Sequence, residues 1–262
     1  MARNVSHVTL PNGLRVLLIP RPASLASTVL VLVEAGSEYE TKTTNGLSHF
    51  LEHMVFKGTV NRPRSEMIAG ELDALGAEFN AFTGDEYTGY WAKAENHKLP
   101  QIIDLISDVY LNPLFEAKEI EKERGVIIEE INMYEDSPSD YVHGVFGELL
   151  YGDQPAGWRT EGTKEVARAL TREDFIRYRA THYVPPKTVV SIAGALSENL
   201  VLKQIKSLFG NVPRAKVARK PRTLPSGAGP AVKIFYKASA QSHLLLGMRG
   251  FAISDKRRRA VK

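Results

Sequence analysis

Hydrophobic and polar positions follow strand-like spacing in the first part of the chain and helical spacing afterwards. Residues 5–10 and 14–19 are apolar-rich runs flanking Pro11-Asn12-Gly13, which predicts a β-hairpin. Residues 28–33 form a continuous apolar run, suited to a buried central strand, and residues 78–82 and 87–94 predict a second pair of strands. Between them, Leu47, Phe50, Leu51, Met54 and Val55 recur at helical spacing. Thr43, Thr44 and Asn45 are N-cap candidates for that helix and Gly58 is its stop. Helices are predicted over 65–75, 99–111, 116–134 and 141–150, then from a Thr171 cap to about His182, and over 197–209. Ser137-Pro138-Ser139 breaks the helical run, residues 152–157 read as a loop, and 188–193 as an apolar strand. Strands followed by clustered helices and a returning strand predict an α+β fold.

The pattern changes at residue 213. Pro213, Pro221, Pro225, Gly227, Gly229 and Pro230 stand among Arg214, Lys216, Arg219, Lys220 and Arg222, a linker by composition over 213–230. Residues 232–236 and 243–248 then read as two new strands, and Ser254-Asp255-Lys256 as the start of a helix. The expected organisation is one domain over 1–212, the linker over 213–230 and the opening strands of a second domain over 231–262. Two strands without a covering helix bury no core, so 231–262 is expected to pack poorly or to borrow an edge from the first domain.

Composition narrows the classes. The chain has 262 residues and 43% hydrophobic content, ordinary for a globular protein. No apolar run approaches 18 residues and the N-terminus has no long apolar segment, so neither a transmembrane helix nor a secretory leader is expected, and a cytoplasmic location follows as the expectation. There is no cysteine, which excludes disulfides and thiolate zinc sites. The net charge of +4 hides a split: residues 214–262 carry 13 Lys+Arg against Asp255 alone, whereas residues 1–213 carry 21 basic and 29 acidic residues. The acidic body suits basic peptides by long-range attraction, and equally serves solubility. The basic tail, with Lys256-Arg257-Arg258-Arg259, accompanies no nucleic-acid-binding fold, so no nucleic acid is expected as a partner.

The chemistry lies in His49-Phe50-Leu51-Glu52-His53. On a helix, His49 and His53 are one turn apart on the same face and can chelate one zinc ion. Glu52 can reach a metal-bound water and serve as general base. An ordinary amphipathic helix accounts for one histidine more readily than for this pair with its glutamate. Catalytic zinc takes a third protein ligand and keeps a fourth position open for water. The segment 119–131 reads as a helix in which Glu123 and Glu130 are seven residues apart, hence on one face. Glu130 is preferred as third ligand because Glu123 then backs the site as a supporting carboxylate; Glu129, about 100° away, stays open. Asn80-Ala81-Phe82-Thr83 has strand alternation, and an unpaired edge strand there would bind a peptide by strand addition or serve structure alone. His97, His143 and His182 have no partner spacing and read as surface or packing histidines.

These residues resemble a known family. The chain is similar to the inverted zincins of the pitrilysin/insulinase family, and within it to mitochondrial processing peptidase and its bacterial relatives. The resemblance runs from Leu10-Pro11-Asn12-Gly13-Leu14-Arg15-Val16 through the zinc helix, with Phe56-Lys57-Gly58-Thr59 after it, and on through Asn80-Ala81-Phe82-Thr83 and the Glu123 to Glu130 helix. It continues through Tyr151-Gly152-Asp153-Gln154-Pro155 and His182-Tyr183-Val184-Pro185 to Ser191-Ile192-Ala193-Gly194. It implies an antiparallel sheet with helices on one side, one half of a clamshell around a peptide substrate. It also implies zinc on His49, His53 and Glu130, Glu52 as base, Glu123 as support, and substrate pairing at Asn80 and Ala81. The activity implied is that of a zinc endopeptidase, with a peptidase-like interaction subunit as the alternative. The family's second half supplies an Arg and a Tyr that steady the transition state, and no part of this chain matches that region. A fragment, or a chain completed by a homologous half or partner subunit, is therefore expected.

Overall fold

The computed structural model describes residues 5–215, 217–225, 229–238 and 240–260. Met1–Asn4, and Lys216 and Gly227 of the predicted linker, lie outside the described residues.

Among the described residues six strands form one sheet: β1 (Ser6–Thr9), β2 (Arg15–Pro20), β3 (Ala26–Val33), β4 (Glu78–Thr83), β5 (Thr88–Glu95) and β6 (Thr188–Gly194). Their order across the sheet is β1-β2-β6-β3-β5-β4, which leaves β4 on an edge. All neighbours are antiparallel except β2 and β6, which run parallel with Val16 opposite Val190. The returning strand therefore inserts between the first hairpin and β3, a long-range placement that strand patterns alone do not specify. Burial alternates along β3, so the apolar run of residues 28–33 is two-faced: Val29, Val31 and Val33 are fully buried and Leu30 and Leu32 are partly exposed.

Eight α-helices among the described residues accompany the sheet: α1 (Leu47–Met54), α2 (Ser65–Ala74), α3 (Leu99–Leu111), α4 (Ala117–Asp136), α5 (Pro138–Tyr151), α6 (Lys164–Ala169), α7 (Arg172–His182) and α8 (Glu198–Phe209). α3 packs across β3 and β5, and α1 packs against β4 and α4. Phe50, Leu51 and Met54 of α1 join Ile102, Ile103, Ile106 and Val109 of α3 and the inward residues of the sheet in one core. The expected Thr171 cap is present as a capping box with Asp174. The short α6, capped by Thr163, was not predicted, because six residues show too little periodicity. The hairpin turn is also a tertiary tie: buried Asn12 donates to the carbonyls of Phe209 and Val212 at 2.8 and 3.1 Å.

Several local expectations are corrected. Neither Thr43, Thr44 nor Asn45 caps α1; the N-cap is Gly46, at φ +94°, and the helix ends at Met54 rather than at Gly58. The strands expected over 232–236 and 243–248 are not formed. The described residues there join no ladder, and Val232, Tyr236, Leu244 and Leu246 are each more than four-fifths exposed. A strand exists only through its partners, and among the described residues none pairs with these. The helix expected from residue 254 is a single 3-10 segment, Lys256–Ala260. Among the described residues no helix is long and apolar enough to cross a membrane.

Candidate metal centre

The site grows from the entry to α1. Glu40, only 2% exposed, lies beneath the helix N-terminus. Its carboxylate accepts the N–H groups of Gly46 and Ser48 at 2.7 and 2.6 Å and the Asn45 amide at 3.1 Å. A carboxylate there satisfies helix donors and suits the positive end of the dipole. The Asn45 amide also donates to the Arg159 carbonyl at 3.0 Å, drawing the 159–162 loop against the helix. The approach is close enough that a Cβ on Gly46 would lie 2.6 Å from the Glu161 carbonyl oxygen, and one on Gly162 would lie 2.2 Å from that of Asn45. Glu161 and Thr160 are thereby carried over the face of α1 that bears His49 and His53.

His49 and His53 project from one face, with ring centroids 4.8 Å apart. Glu130 reaches in from α4. One of its oxygens is 3.6 Å from His49 Nε2, and the other is 3.6 Å from His53 Nε2. One ligand atom from each of the three residues falls within 4.8 Å of the others. A separation of 3.6 Å is too long for a hydrogen bond. It is close to the edge of about 3.3 Å expected between two ligands about 2.0–2.1 Å from one tetrahedral metal. His49 Nδ1 is buried without a hydrogen-bond partner. A part-buried imidazole with an unsatisfied Nδ1, beside a second imidazole and a carboxylate, fits a metal ion.

Electrostatics follow the same geometry. Burial works against the His49 imidazolium, but Glu130, with Glu52 and Glu161, raises its pKa above the ordinary value. His49, outweighing burial, holds the Glu130 carboxyl below the usual carboxylate range. Behind His53, Glu123 Oε1 lies 2.8 Å from Nδ1, and Glu123 Oε2 lies 2.6 Å from the Lys57 ammonium. Burial opposes charge on Glu123, yet His53 and Lys57 together hold its carboxyl low. With Nδ1 engaged by the carboxylate, Nε2 of His53 is free to face Glu130.

The structure brings His49, His53, Glu130, Glu123 and Glu52 to one place, whereas Glu129 is exposed and outside the His49, His53 and Glu130 group. Glu52 lines the same cavity of about 300 Å³, together with Phe82, Thr83, Tyr134, Thr160 and Glu161. Asn80 and Ala81 lie on edge strand β4, exposed and partly exposed. Asn80 folds back so that Oδ1 accepts the Ala81 N–H at 2.8 Å. Arg159 is committed to the loop, paired with Glu161 and lying over the Tyr141 ring. His182 packs on Tyr178 and burial pushes its pKa down to about 4, as expected of a packing histidine. Thr83, Lys57 and Tyr134 also stand at the site, roles that their sequence patterns do not assign. Tyr134 carried a usable signal, standing one turn beyond Glu130 on α4.

Two family models match the chain: insulinase (peptidase family M16) over residues 15–164, and the peptidase M16 inactive domain over residues 169–262. Similar curated proteins include an uncharacterized zinc protease of Streptomyces coelicolor, 37% identical over 98% of this chain and 57% of the relative. The uncharacterized zinc protease YmxG of Bacillus subtilis is 34% identical over 97% of this chain and 61% of the relative. The chain thus spans about three-fifths of the length of these relatives. Among solved structures, a protease from Helicobacter pylori superposes with a TM-score of 0.79 at 24% identity, covering 85% of this chain and 54% of that one. The first half of the periplasmic protease PqqL from Escherichia coli gives 0.77 at 22% identity, over 86% of this chain and 50% of that one. Both likenesses show the fold: a six-stranded sheet with helices, as in these protease halves.

Proposed function

Since the chain belongs to the insulinase family, peptidase family M16, we propose that it carries the zinc site of an endopeptidase acting on peptides or unfolded segments. One observation carries the reading: Nε2 of His49 and His53 and the Glu130 carboxylate converge at non-hydrogen-bonding distances, with Glu52 in the same cavity but bonded to none of them. His49, His53 and Glu130 would hold the ion, and the zinc named in the relatives suits two imidazoles and a carboxylate. Bound there, zinc supplies Lewis acidity, lowering the pKa of a water ligand to about 7 and polarising the scissile carbonyl.

The remaining work falls to the chain's own groups. Glu52 takes the proton of the attacking water and returns it to the leaving amine. Glu123 fixes the tautomer and ring direction of His53, and Lys57 keeps that carboxylate charged. The exposed edge of β4 at Asn80 and Ala81 offers main-chain groups to an extended peptide, which would lie across the cavity beside Glu52. Residues 1–212 form the zinc-bearing unit in this reading, and 213–230 the linker. The exposed apolar side chains of 232–248 belong to a surface that a second homologous half or a partner subunit would cover.

The test is Glu52→Gln against wild type, with zinc stoichiometry and hydrolysis of a quenched-fluorescent peptide library read together. One zinc in both proteins, with chelator-sensitive cleavage in wild type alone, is expected. Cleavage surviving in Glu52→Gln, or no zinc bound with His49, His53 and Glu130 intact, overturns the proposal.

A further inference from the structure

Glu52 needs a direction as well as a place. Its side chain stands at the wall of an open cavity, where a glutamate samples several rotamers. Among the described residues it has one hydrogen-bond donor: Thr83 Oγ1, 2.5 Å from Glu52 Oε2. Thr83 is the last residue of β4, the strand whose outer edge is free. Phe79, Ala81 and Thr83 share the β4 face that meets α1: Phe79 meets Phe56 just beyond that helix, and Ala81 packs against the core. A β-branched residue on a strand has restricted χ1, so the backbone of β4 sets where this hydroxyl points.

The strand end is itself fixed. Thr83 pairs with Thr88, whose hydroxyl donates to the Ala35 carbonyl at 2.9 Å. The turn that follows is closed by Gly84 N–H to the Tyr87 carbonyl at 2.8 Å, and the Glu38 N–H binds the Asp85 carbonyl at 2.8 Å. A Cβ on Gly36 would lie only 2.2 Å from the Gly84 carbonyl oxygen, so the turn sits against the 36–38 segment without slack. The hydroxyl is thus delivered by a pinned turn and received by Oε2 of Glu52, a residue that lines the cavity.

We propose that Thr83 is the positioning residue for Glu52, so that the strand offered to the peptide also sets the orientation of the base. The inference rests on the zinc-peptidase reading, and its consequences are separable from it. Thr83→Val keeps the shape and removes the donor; Thr83→Ser restores the donor without the methyl group. Zinc stoichiometry and affinity should be unchanged in both. In Thr83→Val, kcat should fall roughly tenfold, as for loss of a hydrogen bond to a charged group, with KM within about twofold, and Thr83→Ser should recover most of kcat. Side-chain scalar couplings of Glu52, measured on zinc-loaded protein with ¹³C-labelled glutamate, should report one rotamer in wild type and Thr83→Ser and averaging in Thr83→Val. That measurement decides the inference whether or not this chain cleaves a peptide unaided. A Thr83→Val protein with wild-type kcat, a Thr83→Ser protein as impaired as Thr83→Val, or a Glu52 rotamer indifferent to all three residues would overturn it. Absence of zinc, or activity in Glu52→Gln, would instead strike the zinc-peptidase reading.

Discussion

Replacing Glu123 tests how much the support behind His53 contributes to metal binding. Glu123 is 5% exposed and holds two groups at once, His53 Nδ1 at 2.8 Å and Lys57 Nζ at 2.6 Å. Glu123→Ala removes both links. The His53 ring loses the acceptor that keeps Nε2 turned towards Glu130, and the partly buried Lys57 ammonium loses its carboxylate partner. Loss of a hydrogen bond with a charged partner is worth about 1.5–3 kcal/mol, or roughly 10- to 100-fold in an equilibrium constant. Removing a partner of a metal-bound histidine elsewhere falls in the same range. Zinc affinity of Glu123→Ala should therefore be about 10- to 100-fold weaker, read by competition with a chromophoric chelator at fixed pH and salt. Glu123→Gln, which keeps an acceptor for Nδ1 but loses the charge facing Lys57, should fall between the two. The thermal midpoint of the metal-free proteins, measured alongside, separates a weakened site from a weakened fold. Equal zinc affinity in wild type and Glu123→Ala would refute the reasoning, because the carboxylate would then serve only to hold α4 near α1.

Two further outcomes follow from buried charge. Arg62 holds Glu71 through two hydrogen bonds of 2.6 and 2.8 Å and also reaches Asp104 and the buried Asp108; Arg62→Ala should cost about 3 kcal/mol by denaturant unfolding at pH 7. Arg62 holds Glu71 low, and despite its burial Asp108 is also held low, by Thr59, Asn112 and Arg62. That stability is present above the ordinary carboxylate pKa and is lost as pH falls through the depressed values, so a cost that did not shrink on acidification would contradict the assignment. Burial, outweighing the donors at the α1 N-terminus, pushes the Glu40 carboxyl up to about 7. The folded state then keeps a proton the unfolded chain has released between about pH 4.5 and 7, and stability falls by up to about 3 kcal/mol as pH rises through that window. Unfolding of wild type beside Glu40→Gln across the window isolates the effect, and a wild-type advantage that grew with pH would show that the N–H donors win.

Much of the fold was legible because its elements are long enough to show their period. α3 occupies the predicted residues 99–111, and β4, β5 and α8 depart from prediction by a residue or so at an end. What was illegible is non-local. Nothing in residues 188–193 says that the strand will run parallel to β2 and antiparallel to β3; that follows from where the intervening helices can be laid down. The cap of α1 was misread for the same reason: local rules look at the adjacent Thr43, Thr44 and Asn45, whereas the carboxylate that satisfies the helix comes from Glu40 across a turn. The strand patterns at 232–236 and 243–248 are present in the sequence, but alternation states only which face would be buried, and most of the apolar side chains there stay exposed.

The candidate site was more legible than the fold around it, and the reason is geometric. Two ligands four residues apart and a third carboxylate seven residues from its supporting partner are relations within single helices, so the 3.6-residue period alone places His49 with His53 and Glu130 with Glu123. Choosing Glu130 over Glu129 needed one further premise, that a metal-bound histidine wants a carboxylate behind it, and the 2.8 Å contact from Glu123 to His53 supplies that relation. Lys57 and Thr83 obey no such period. Lys57 lies past the end of α1 and reaches Glu123 only because α4 crosses there; Thr83 is 31 residues from Glu52 and meets it only because α1 packs on the edge strand. The groups proposed to bind the metal are thus encoded in local spacing, whereas groups that hold those residues in register are encoded in how helices and sheet are stacked. A reading from spacing recovers the first set and passes over the second. It follows that variants at Lys57 and Thr83 should leave the chain's local propensities untouched while changing the directions of His53 and Glu52.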